Sequence, residues 1–475
     1  MILAPNIREA LSTDLDSRAA LIRQVVVEQL QERGPVTSPE HVVGAYFVMS
    51  RTSTVAEVGE TISYHMTSGV HHPPVGSLLE ACTGQVLAAE PFDASGRVGL
   101  VWVGFPVRMM QYPDGRVYTT DLLHLMAGEG VVGLCDHADI QLVDLTIPET
   151  VLATFPGPAY GAPGVRAVTG FPAGTPIFGT ILKPCSGITP EEVGALVREA
   201  AGNPLFGFVK EDENLVPGAS FCPLADRTRE AVTAVREQMG RRGGRGILFA
   251  PHITAQPDLL MRHLEVALEA GVNAVMFSDQ FAGGTTRMVR EFTREMAQPP
   301  AIYAHNSGIS NKTRSIWREV LDLLVRLDGA DFRQTAPLTT TAPLLRPNGQ
   351  EWLRCEEALT RPLGPIKPTM IARAGGLDQG NIILNLHDAA QRGYGDAILY
   401  LAGSAINSIK DAQGRPAPEL GSAAMREAVE AYTSGAVSAE APDRHVAALY
   451  AYAVTQGKTA LRTALVQRYP AMANA

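Results

Sequence analysis

A repeated pattern of apolar segments, each followed by a helical stretch, begins near residue 168 and constrains the fold more than any other feature. The segments are short and rich in β-branched residues, as strands are. They lie at Ile177–Lys183, Gly207–Asp212, Gly246–His252, Ala274–Asp279, Ala301–His305, Ala330–Thr335, Thr369–Arg373 and Ala397–Gly403. Successive strand–helix units form a parallel sheet, and eight of them close into a barrel. The sequence therefore predicts an α/β fold whose main part is a parallel (β/α)₈ TIM barrel.

The residues before this pattern are organised differently. HVVGAYFVMS, GQVLAA and RVGLVWVGFPV have the composition of strands, and residues 13–33 have that of a helix. Such a mixture predicts a small N-terminal α+β domain of the ferredoxin-like kind. The proline- and glycine-rich stretch FPGPAYGAPG is the expected joint. We predict one domain over residues 1–152 and a barrel with C-terminal helices over residues 153–475.

Composition and charge bear on the compartment and the partners of the protein, but they do not indicate which reaction it could catalyse. The net charge of −9 disfavours nucleic acid and anionic membranes as partners. No uninterrupted run of apolar residues is long enough for a spanning helix, and acidic residues follow the N-terminus too early for a secretory signal. The five cysteines are scattered, which suits reduced thiols. We therefore expect a cytoplasmic protein without a nucleic-acid or membrane partner.

Polar residues gather at the C-terminal ends of the predicted strands. Inside a barrel strand such residues are costly to bury, and this end of a barrel is where active sites are built. A ring of them in one layer therefore indicates a functional site rather than a structural accident. The residues are Lys183, Lys210, Asp212, Glu213, His252, Asp279, His305, Gln334 and Arg373.

The second strand carries the sharpest signal, in the segment FVKEDEN. Lys210 and Asp212 are two residues apart and therefore point to the same side of the strand, with Glu213 at its end. Two such carboxylates favour a hard cation such as Mg²⁺, but a lysine ammonium has no lone pair to bind it. Two interpretations remain open: an ion-pair cluster that stabilises the barrel, or a lysine that reacts with CO₂ to become an anionic carbamate ligand.

Several motifs together resemble one family. FVKEDEN resembles the metal-binding segment of the RuBisCO large subunit, and GTILKPCSGITPEE resembles its first barrel strand. LEACTG, FPGPAYG and AHNSG are similar to its glutamate-bearing segment, its interdomain joint and its fifth strand. The resemblance extends over roughly residues 40 to 435 and is closest to the form IV, RuBisCO-like group.

The resemblance implies a role for each central residue of the barrel. Lys210 would be the carbamylated lysine, carrying CO₂, and would bind Mg²⁺ together with Asp212 and Glu213. Lys183 would be the base that removes a proton next to the substrate carbonyl. His305 would contact the reacting hydroxyl groups. We expect these five residues to meet at the barrel mouth.

Further substrate-binding residues are expected in both domains. By the resemblance, Glu80 reaches the barrel mouth of a neighbouring subunit, which implies a homodimer with shared active sites. His252 is expected to face the metal pocket and touch the substrate. Arg373 is a candidate clamp for phosphate or carboxylate, with an ion pair inside the barrel as the rival interpretation. Backbone amides that bind a phosphate are expected at Gly375, Gly376 and Gly403.

Departures from the family pattern argue against carbon fixation. Cys185 replaces a second lysine, Asn306 replaces an arginine, and Gln334 replaces a histidine. The loop at residues 336–344 has no Gly-Lys, and the asparagine expected in the N-terminal domain falls near Gly130. In carboxylases the missing loop lysine steadies the new carboxylate, so the apparatus for capturing CO₂ as a substrate is absent.

The surviving residues favour a Mg²⁺-dependent enzyme that forms an enolate on a phosphorylated keto sugar or keto sugar acid. Decarboxylation or C–C cleavage of a 3-oxo sugar-acid phosphate is the favoured reaction. One alternative is an enolase or isomerase acting on a methylthio-ketose phosphate of methionine salvage. The other is a non-catalytic dimeric scaffold, which would have no need of two lysines and two acids that converge on one point.

Overall fold

The computed structural model describes residues 15–128, 138–243, 245–339, 349–440 and 444–474. The chain forms two compact units. The first comprises the chain up to residue 157 together with residues 307–328 and 350–366, and the second comprises the remainder. The boundary at 152/153 stays a prediction, since the first unit also takes in two helices that follow barrel strands in the chain. Among the described helices, none combines the length and the apolar character needed to cross a membrane.

The first unit is built on a four-stranded antiparallel sheet with the strand order β2-β3-β1-β4. With one helix after β1 and another after β3, this is the β-α-β-β-α-β topology of ferredoxin-like domains, as predicted. Strand β1 is buried along most of its length because it pairs with β3 on one side and β4 on the other. The elements are α1 Leu15–Arg33, β1 His41–Ser50, α2 Val55–His65, α3 Leu78–Ala81, β2 Gln85–Pro91, β3 Val98–Pro106, α4 Thr119–Ala127, β4 Ala138–Thr146 and α5 Glu149–Leu152.

The second unit holds eight parallel strands, in the order β7-β6-β5-β12-β11-β10-β9-β8. The elements that follow α5 in the chain alternate as the sequence predicts. They are α6 Gly161–Thr169, β5 Ile177–Ile181, α7 Pro190–Gly202, β6 Phe206–Lys210, α8 Leu224–Met239, β7 Leu248–Ala250, α9 Pro257–Ala270, β8 Ala274–Phe277, α10 Thr285–Phe292, β9 Ala301–Ala304, α11 Arg318–Asp328, β10 Phe332–Thr335, α12 Gly349–Thr360, β11 Met370–Arg373, α13 Ile382–Gln391, β12 Ile398–Ala402, α14 Ser404–Asn407, α15 Pro418–Thr433, α16 His445–Thr455 and α17 Thr459–Arg468.

The two ends of this strand order meet and close the barrel. A parallel bridge joins His252, just beyond β7, to Met276 of β8. The amide of Ile253 donates to the carbonyl of Met276, and the amide of Met276 donates to the carbonyl of Pro251, both over 2.9 Å. The predicted (β/α)₈ barrel is therefore confirmed.

Alternate residues of the strands fill the barrel and set the direction of the residues above them. Phe208, Tyr303 and Phe332 pack against one another in the interior, with ring centroids 4.8–6.0 Å apart. Because side chains alternate along a strand, the residues two positions further on point the same way. Lys210 follows Phe208 and His305 follows Tyr303, so both reach into the layer above these rings.

Helix α11 begins only at Arg318, and contacts within the first unit show why. The amide of Leu142 in β4 donates to the carbonyl of Ser315, and the amide of Trp317 donates to the carbonyl of Leu142. Residues 315–317 thus extend beside β4, and their backbone groups are used before the helix can begin.

A buried aspartate ties the start of the barrel to its fifth and sixth strands. Asp331 accepts hydrogen bonds from the amides of Tyr160, Gly161 and Ile302, over 2.7, 3.1 and 3.0 Å. It also pairs with the buried guanidinium of Arg290 at 2.5 Å. The carboxylate has no exposed surface, so all of its interactions are with protein.

We expect Asp331→Ala to lower the free energy of unfolding by about 3–5 kcal/mol, because Arg290 would remain buried without a counter-charge. Chemical denaturation followed by circular dichroism measures the change. The control Glu237→Ala breaks the exposed pair with Arg198 and should change stability by less than about 1 kcal/mol. Equal effects of the two substitutions would contradict this account.

Candidate active site

Lys210 is the last residue of β6 and lies at the centre of the site. Its side chain is fully buried. Its ammonium lies 3.0 Å from the carbonyl oxygen of Glu211, 3.2 Å from Sδ of Met276 and 3.4 Å from Oε2 of Glu213. Burial lowers the pKa of Lys210, and the nearby charge of Lys183 lowers it further, against the opposing effect of the two carboxylates. A larger share of Lys210 is therefore neutral than of an exposed lysine.

Asp212 links this lysine to the end of β5. Nζ of Lys183 lies 2.5 Å from Oδ2 of Asp212. The other carboxylate oxygen accepts hydrogen bonds from the amide and side chain of Asn214, over 3.0 and 2.8 Å. Burial alone lowers the pKa of Lys183, but the hydrogen bond and charge of Asp212 outweigh burial and raise it. Without a cation on Asp212, this lysine is held in its charged form.

Glu213 and His305 complete the cluster. Nε2 of His305 lies 3.3 Å from Oε2 of Glu213. Burial would raise the pKa of Glu213, but the hydrogen bond from His305 and the charge of Lys210 together lower it. Burial lowers the pKa of His305, which Glu213 partly offsets. The structure thus brings together all five residues that the sequence placed at the barrel mouth: Lys183, Lys210, Asp212, Glu213 and His305.

Glu211 points to the other side of β6 and anchors the strand. Its carboxylate pairs with Arg227 of α8 through contacts of 2.9 and 3.1 Å, and neither side chain has exposed surface. It also accepts a hydrogen bond from the amide of His252, over 2.9 Å. Because Glu211 lies between Lys210 and Asp212, this anchor fixes the direction in which both of them face. The sequence alone did not point to Arg227, because its pairing with Glu211 becomes visible only in the folded structure.

His252 lies beside the cluster, with both ring nitrogens already bonded. Nδ1 lies 3.1 Å from the carbonyl of Leu215, which can only accept, so Nδ1 carries the proton. Nε2 then accepts from the hydroxyl of Thr254, 2.6 Å away. Burial lowers the pKa of His252 to about 4, so the ring is neutral at pH 7. Substrate contact by His252 stays a prediction, and it would require exchange of one of these bonds.

Arg373 faces away from the barrel interior, which its neighbours Ala372 and Ala374 help to fill. Its buried guanidinium pairs with Asp388 and lies 3.1 Å from the carbonyl of Asn385, both on α13. This placement favours the ion-pair interpretation over a phosphate clamp. Asp279 is likewise paired, with Arg333 at 2.7 Å.

The candidate phosphate-binding glycines lie at the expected ends of β11 and β12. Gly375 and Gly376 have φ angles of 86° and 103°, a region that favours glycine. Gly403 precedes α14. In the first unit, Glu80 is exposed on α3 and accepts a hydrogen bond of 2.5 Å from the amide of Gly76. Gly130 and residues 340–344 lie outside the described residues, so the expectations placed on them stay predictions.

The donor set fits a divalent cation only if Lys210 is modified. Among the described residues, no group of three or more His, Cys, Asp or Glu side chains is arranged to hold a metal. Asp212 and Glu213 supply two carboxylates, and a carbamate on Lys210 would supply the third anionic group. Three anionic oxygen ligands suit Mg²⁺.

Tyr303, Thr254 and Asn214 belong to the site but were not identified from the sequence. The ring centroid of Tyr303 lies 5.6 Å from the ammonium of Lys210, and its hydroxyl donates to Gln334 over 2.8 Å. Tyr303 could have been found by counting two residues back from His305. Asn214 ends the segment FVKEDEN, although no role was assigned to it there, and Thr254 carries no such signal because it follows a strand end in an irregular loop.

Comparisons with known proteins agree on one family. Residues 167–341 match the ribulose bisphosphate carboxylase large chain, catalytic domain. The chain is 36% identical over 188 residues to the 3-oxo-isoapionate-4-phosphate transcarboxylase/hydrolase of Xanthobacter autotrophicus, covering 40% of this chain and 43% of that protein. It is 33% identical over 199 residues to the 3-oxo-isoapionate-4-phosphate decarboxylase of Rhizobium etli, covering 41% and 46%. The matched region spans less than half the length of these two relatives.

Among solved structures, a rubisco-like protein from Burkholderia fungorum superposes with a TM-score of 0.71 at 23% identity, covering 90% of this chain and 100% of that one. This likeness bears on the fold alone. Residues 167–341 are therefore similar to the catalytic domain of the RuBisCO large chain, and the fold is one that solved rubisco-like structures share. The relatives also include a ribulose bisphosphate carboxylase-like protein of Allochromatium vinosum, 28% identical over 331 residues, covering 68% of this chain and 68% of that protein.

We expect His252 to make stability depend on pH. Because its folded pKa, about 4, lies below the unfolded value of about 6.5, the unfolded chain binds the extra proton first. Stability is therefore retained above pH 6.5 and lost as the pH falls towards 4. Protonation of His252 should lower the free energy of unfolding by about 2 kcal/mol between pH 7 and pH 5. Denaturation at both values measures this loss, and His252→Asn should reduce it. An unchanged loss in the variant would contradict the assignment.

Proposed function

We propose that the protein is a Mg²⁺-dependent RuBisCO-like enzyme that decarboxylates or cleaves a phosphorylated 3-oxo sugar acid. The observation that carries the proposal is the convergence of Lys183, Lys210, Asp212 and Glu213 on one point of the barrel mouth. The names of the two relatives, which act on 3-oxo-isoapionate 4-phosphate, support the substrate class. Burying Lys210 next to a second, partly exposed lysine is costly to stability, which favours a catalytic over a purely structural role.

Lys210 is suited to react with CO₂. Its lowered pKa supplies the neutral amine that the reaction requires. The ammonium first loses one proton to solvent to give the neutral amine. A C–N bond then forms between Nζ and CO₂ as one π bond of CO₂ breaks, a second proton leaves Nζ for solvent, and the product is an anionic carbamate. The change of charge removes the repulsion between Lys210 and Lys183 and leaves three anionic groups with Asp212 and Glu213. When bound there, Mg²⁺ supplies an electrophile for the substrate carbonyl oxygen.

Lys183 is suited to move a proton at Nζ. Asp212 raises its pKa, so a cation shared by Asp212 would weaken that effect and free the neutral amine. The neutral amine accepts a proton from the carbon next to a carbonyl, or its charged form returns one to an enolate. His305, held beside Glu213, is positioned to bind a substrate hydroxyl.

The remaining groups bind and enclose the substrate. The backbone at Gly375, Gly376 and Gly403 lies at the end of the barrel where phosphates bind in this fold. Glu80 is exposed, and Val75 and Leu78, which are close to it in the chain, are exposed apolar residues. These features support a homodimer in which Glu80 approaches the site of the partner copy.

The test incubates the protein with Mg²⁺ and ¹³C-bicarbonate in D₂O and offers phosphorylated 3-oxo sugar acids and ketose phosphates. We expect a carbamate carbon signal in the NMR spectrum, together with loss of carbon from a 3-oxo acid. Lys210→Met should abolish both. Lys183→Met should keep the carbamate signal but slow turnover by roughly 10²–10⁴-fold, the usual contribution of an acid–base group.

The control is Lys458→Met, which removes a lysine from the ion pair with Glu430 and should leave both signals unchanged. Deuterium exchange or rearrangement without carbon loss would instead indicate an isomerase or enolase acting through the same residues. No exchange with any compound, and identical behaviour of wild type and Lys210→Met, would leave the scaffold as the better description.

A further inference from the structure

A cavity of about 600 Å³ lies on the outer side of the barrel, between helices α7 and α15. Its volume is in the range of sites that bind small organic molecules. Thr180 of β5 and Phe206 at the start of β6 also line it, and helix α8 contributes Gln238. None of the five clustered residues at the barrel mouth lines this cavity, so it is separate from the candidate active site.

The inner and outer parts of the cavity differ in polarity. The inner part is lined by apolar side chains that are almost fully buried, namely Leu182, Phe206 and Ile406. The outer part is lined by exposed charged residues of α7 and α15, namely Glu199, Glu419 and Arg426. A ligand that fills this cavity therefore needs an apolar body and a charged end.

Two carboxylates in the outer part have no counter-charge. The side chains of Glu199 and Glu419 form no ion pair or hydrogen bond within the described ranges of the chain. Partial burial and the charge of Glu419 raise the pKa of Glu199. The two negative charges therefore repel each other, and a cation bound between them would relieve this repulsion.

The two arginines that line the cavity leave its outer part negative. Arg198 pairs with Glu237 over 2.8 Å, so its charge is already balanced. Nη1 of Arg426 donates to Oδ1 of Asn203 over 3.3 Å, and no ion pair joins Arg426 to a described carboxylate. Two unpaired carboxylates thus stand against one arginine, and the remaining charge favours a cationic ligand over an anionic one.

Gln238 is an independent indication that the cavity binds a ligand. The residue is nine-tenths buried and lines the cavity, yet its side-chain amide has no hydrogen-bond partner in the described part of the chain. The buried hydroxyls that line the cavity are satisfied: Thr180 donates to the carbonyl of Ala402, and Ser422 donates to that of Pro418. A buried amide without a partner lowers stability, so we expect Gln238 to bond to a ligand.

We propose that this cavity binds a small organic ammonium compound with an apolar body, whose ammonium group lies between Glu199 and Glu419. The apolar body fills the inner part, and a second polar group of the ligand bonds to the amide of Gln238. A metal ion suits the cavity less well, because an ion would leave most of the volume and the apolar lining unfilled.

The first test titrates phenethylamine into the protein by calorimetry, without substrate, Mg²⁺ or bicarbonate. Wild type should bind this amine but not phenylacetate, which has a similar apolar body and a negative charge. Glu199→Gln and Glu419→Gln should each weaken binding of the amine by about three- to ten-fold, the value of one charged contact near the surface.

The matched control is Glu265→Gln, which removes an exposed carboxylate from α9 outside the cavity and should bind phenethylamine as wild type does. Absence of binding to wild type, equal affinities for wild type and Glu199→Gln, or tighter binding of phenylacetate would each overturn the proposal.

The second test compares phenethylamine with tyramine, which carries one additional hydroxyl group on the ring. Tyramine should bind wild type about three- to ten-fold more tightly, because its hydroxyl bonds to the unpartnered amide of Gln238. Gln238→Met should remove this difference by weakening the binding of tyramine alone. A difference of the same size in the variant would overturn the assignment of Gln238.

Thermal unfolding distinguishes a lost site from a misfolded variant. Glu199→Gln should unfold at the wild-type temperature or above it, because the substitution removes a repulsion. Phenethylamine should raise the unfolding temperature of wild type more than that of this variant. The inference is independent of the proposed function, so Glu199→Gln should keep the carbamate signal of Lys210. Loss of that signal would mean that the cavity is part of the reaction site, which would overturn a separate ligand site.

Discussion

The buried pair between Glu211 and Arg227 is the interaction on which the site depends. Neither side chain touches solvent, and a buried pair of this kind is strongly destabilising to break because it leaves a charge without a partner. The pair secures the outer side of β6 to α8. Since successive residues of a strand point to opposite sides, securing Glu211 outward directs Lys210 and Asp212 inward. An ion pair outside the barrel thus fixes the direction in which the residues at the barrel mouth face.

The cluster that faces inward is electrically strained in the form described. Lys210 is buried with a lowered pKa, while Lys183 is held charged by Asp212. The proposed conversion of Lys210 to an anion, with a cation shared among the acids, would relieve both conditions. The residues that stabilise the fold therefore differ from those proposed to react. Asp331 and Glu211 lie outside the barrel, and the proposed reactive groups lie above the aromatic rings packed in its interior.

Much of this arrangement could be predicted from the sequence because it depends on periodicity. Strand–helix alternation predicts the barrel, and two-residue spacing predicts that Lys210 and Asp212 share a side. Arg373 shows the limit of predicting a site only from the ends of strands. It is one residue away from the positions that face the barrel interior, so its side chain lies against α13 instead of in the barrel mouth. Asp331 accepts from the amides of Tyr160 and Gly161, which are 171 and 170 residues away along the chain, and no local pattern connects them.

The packed rings of Phe208, Tyr303 and Phe332 form a floor beneath the reactive layer. Above this floor, the mouth holds single residues delivered by separate strands, such as His305 and Gln334. Substitutions there alter what is bound without opening the core, because the volume below remains filled. Mutations that change the reaction and mutations that threaten folding therefore fall on different residues. A gene encoding such a barrel can drift towards new substrates while its product stays folded, which is how one ancestral architecture can diversify into a lineage of enzymes with unlike reactions.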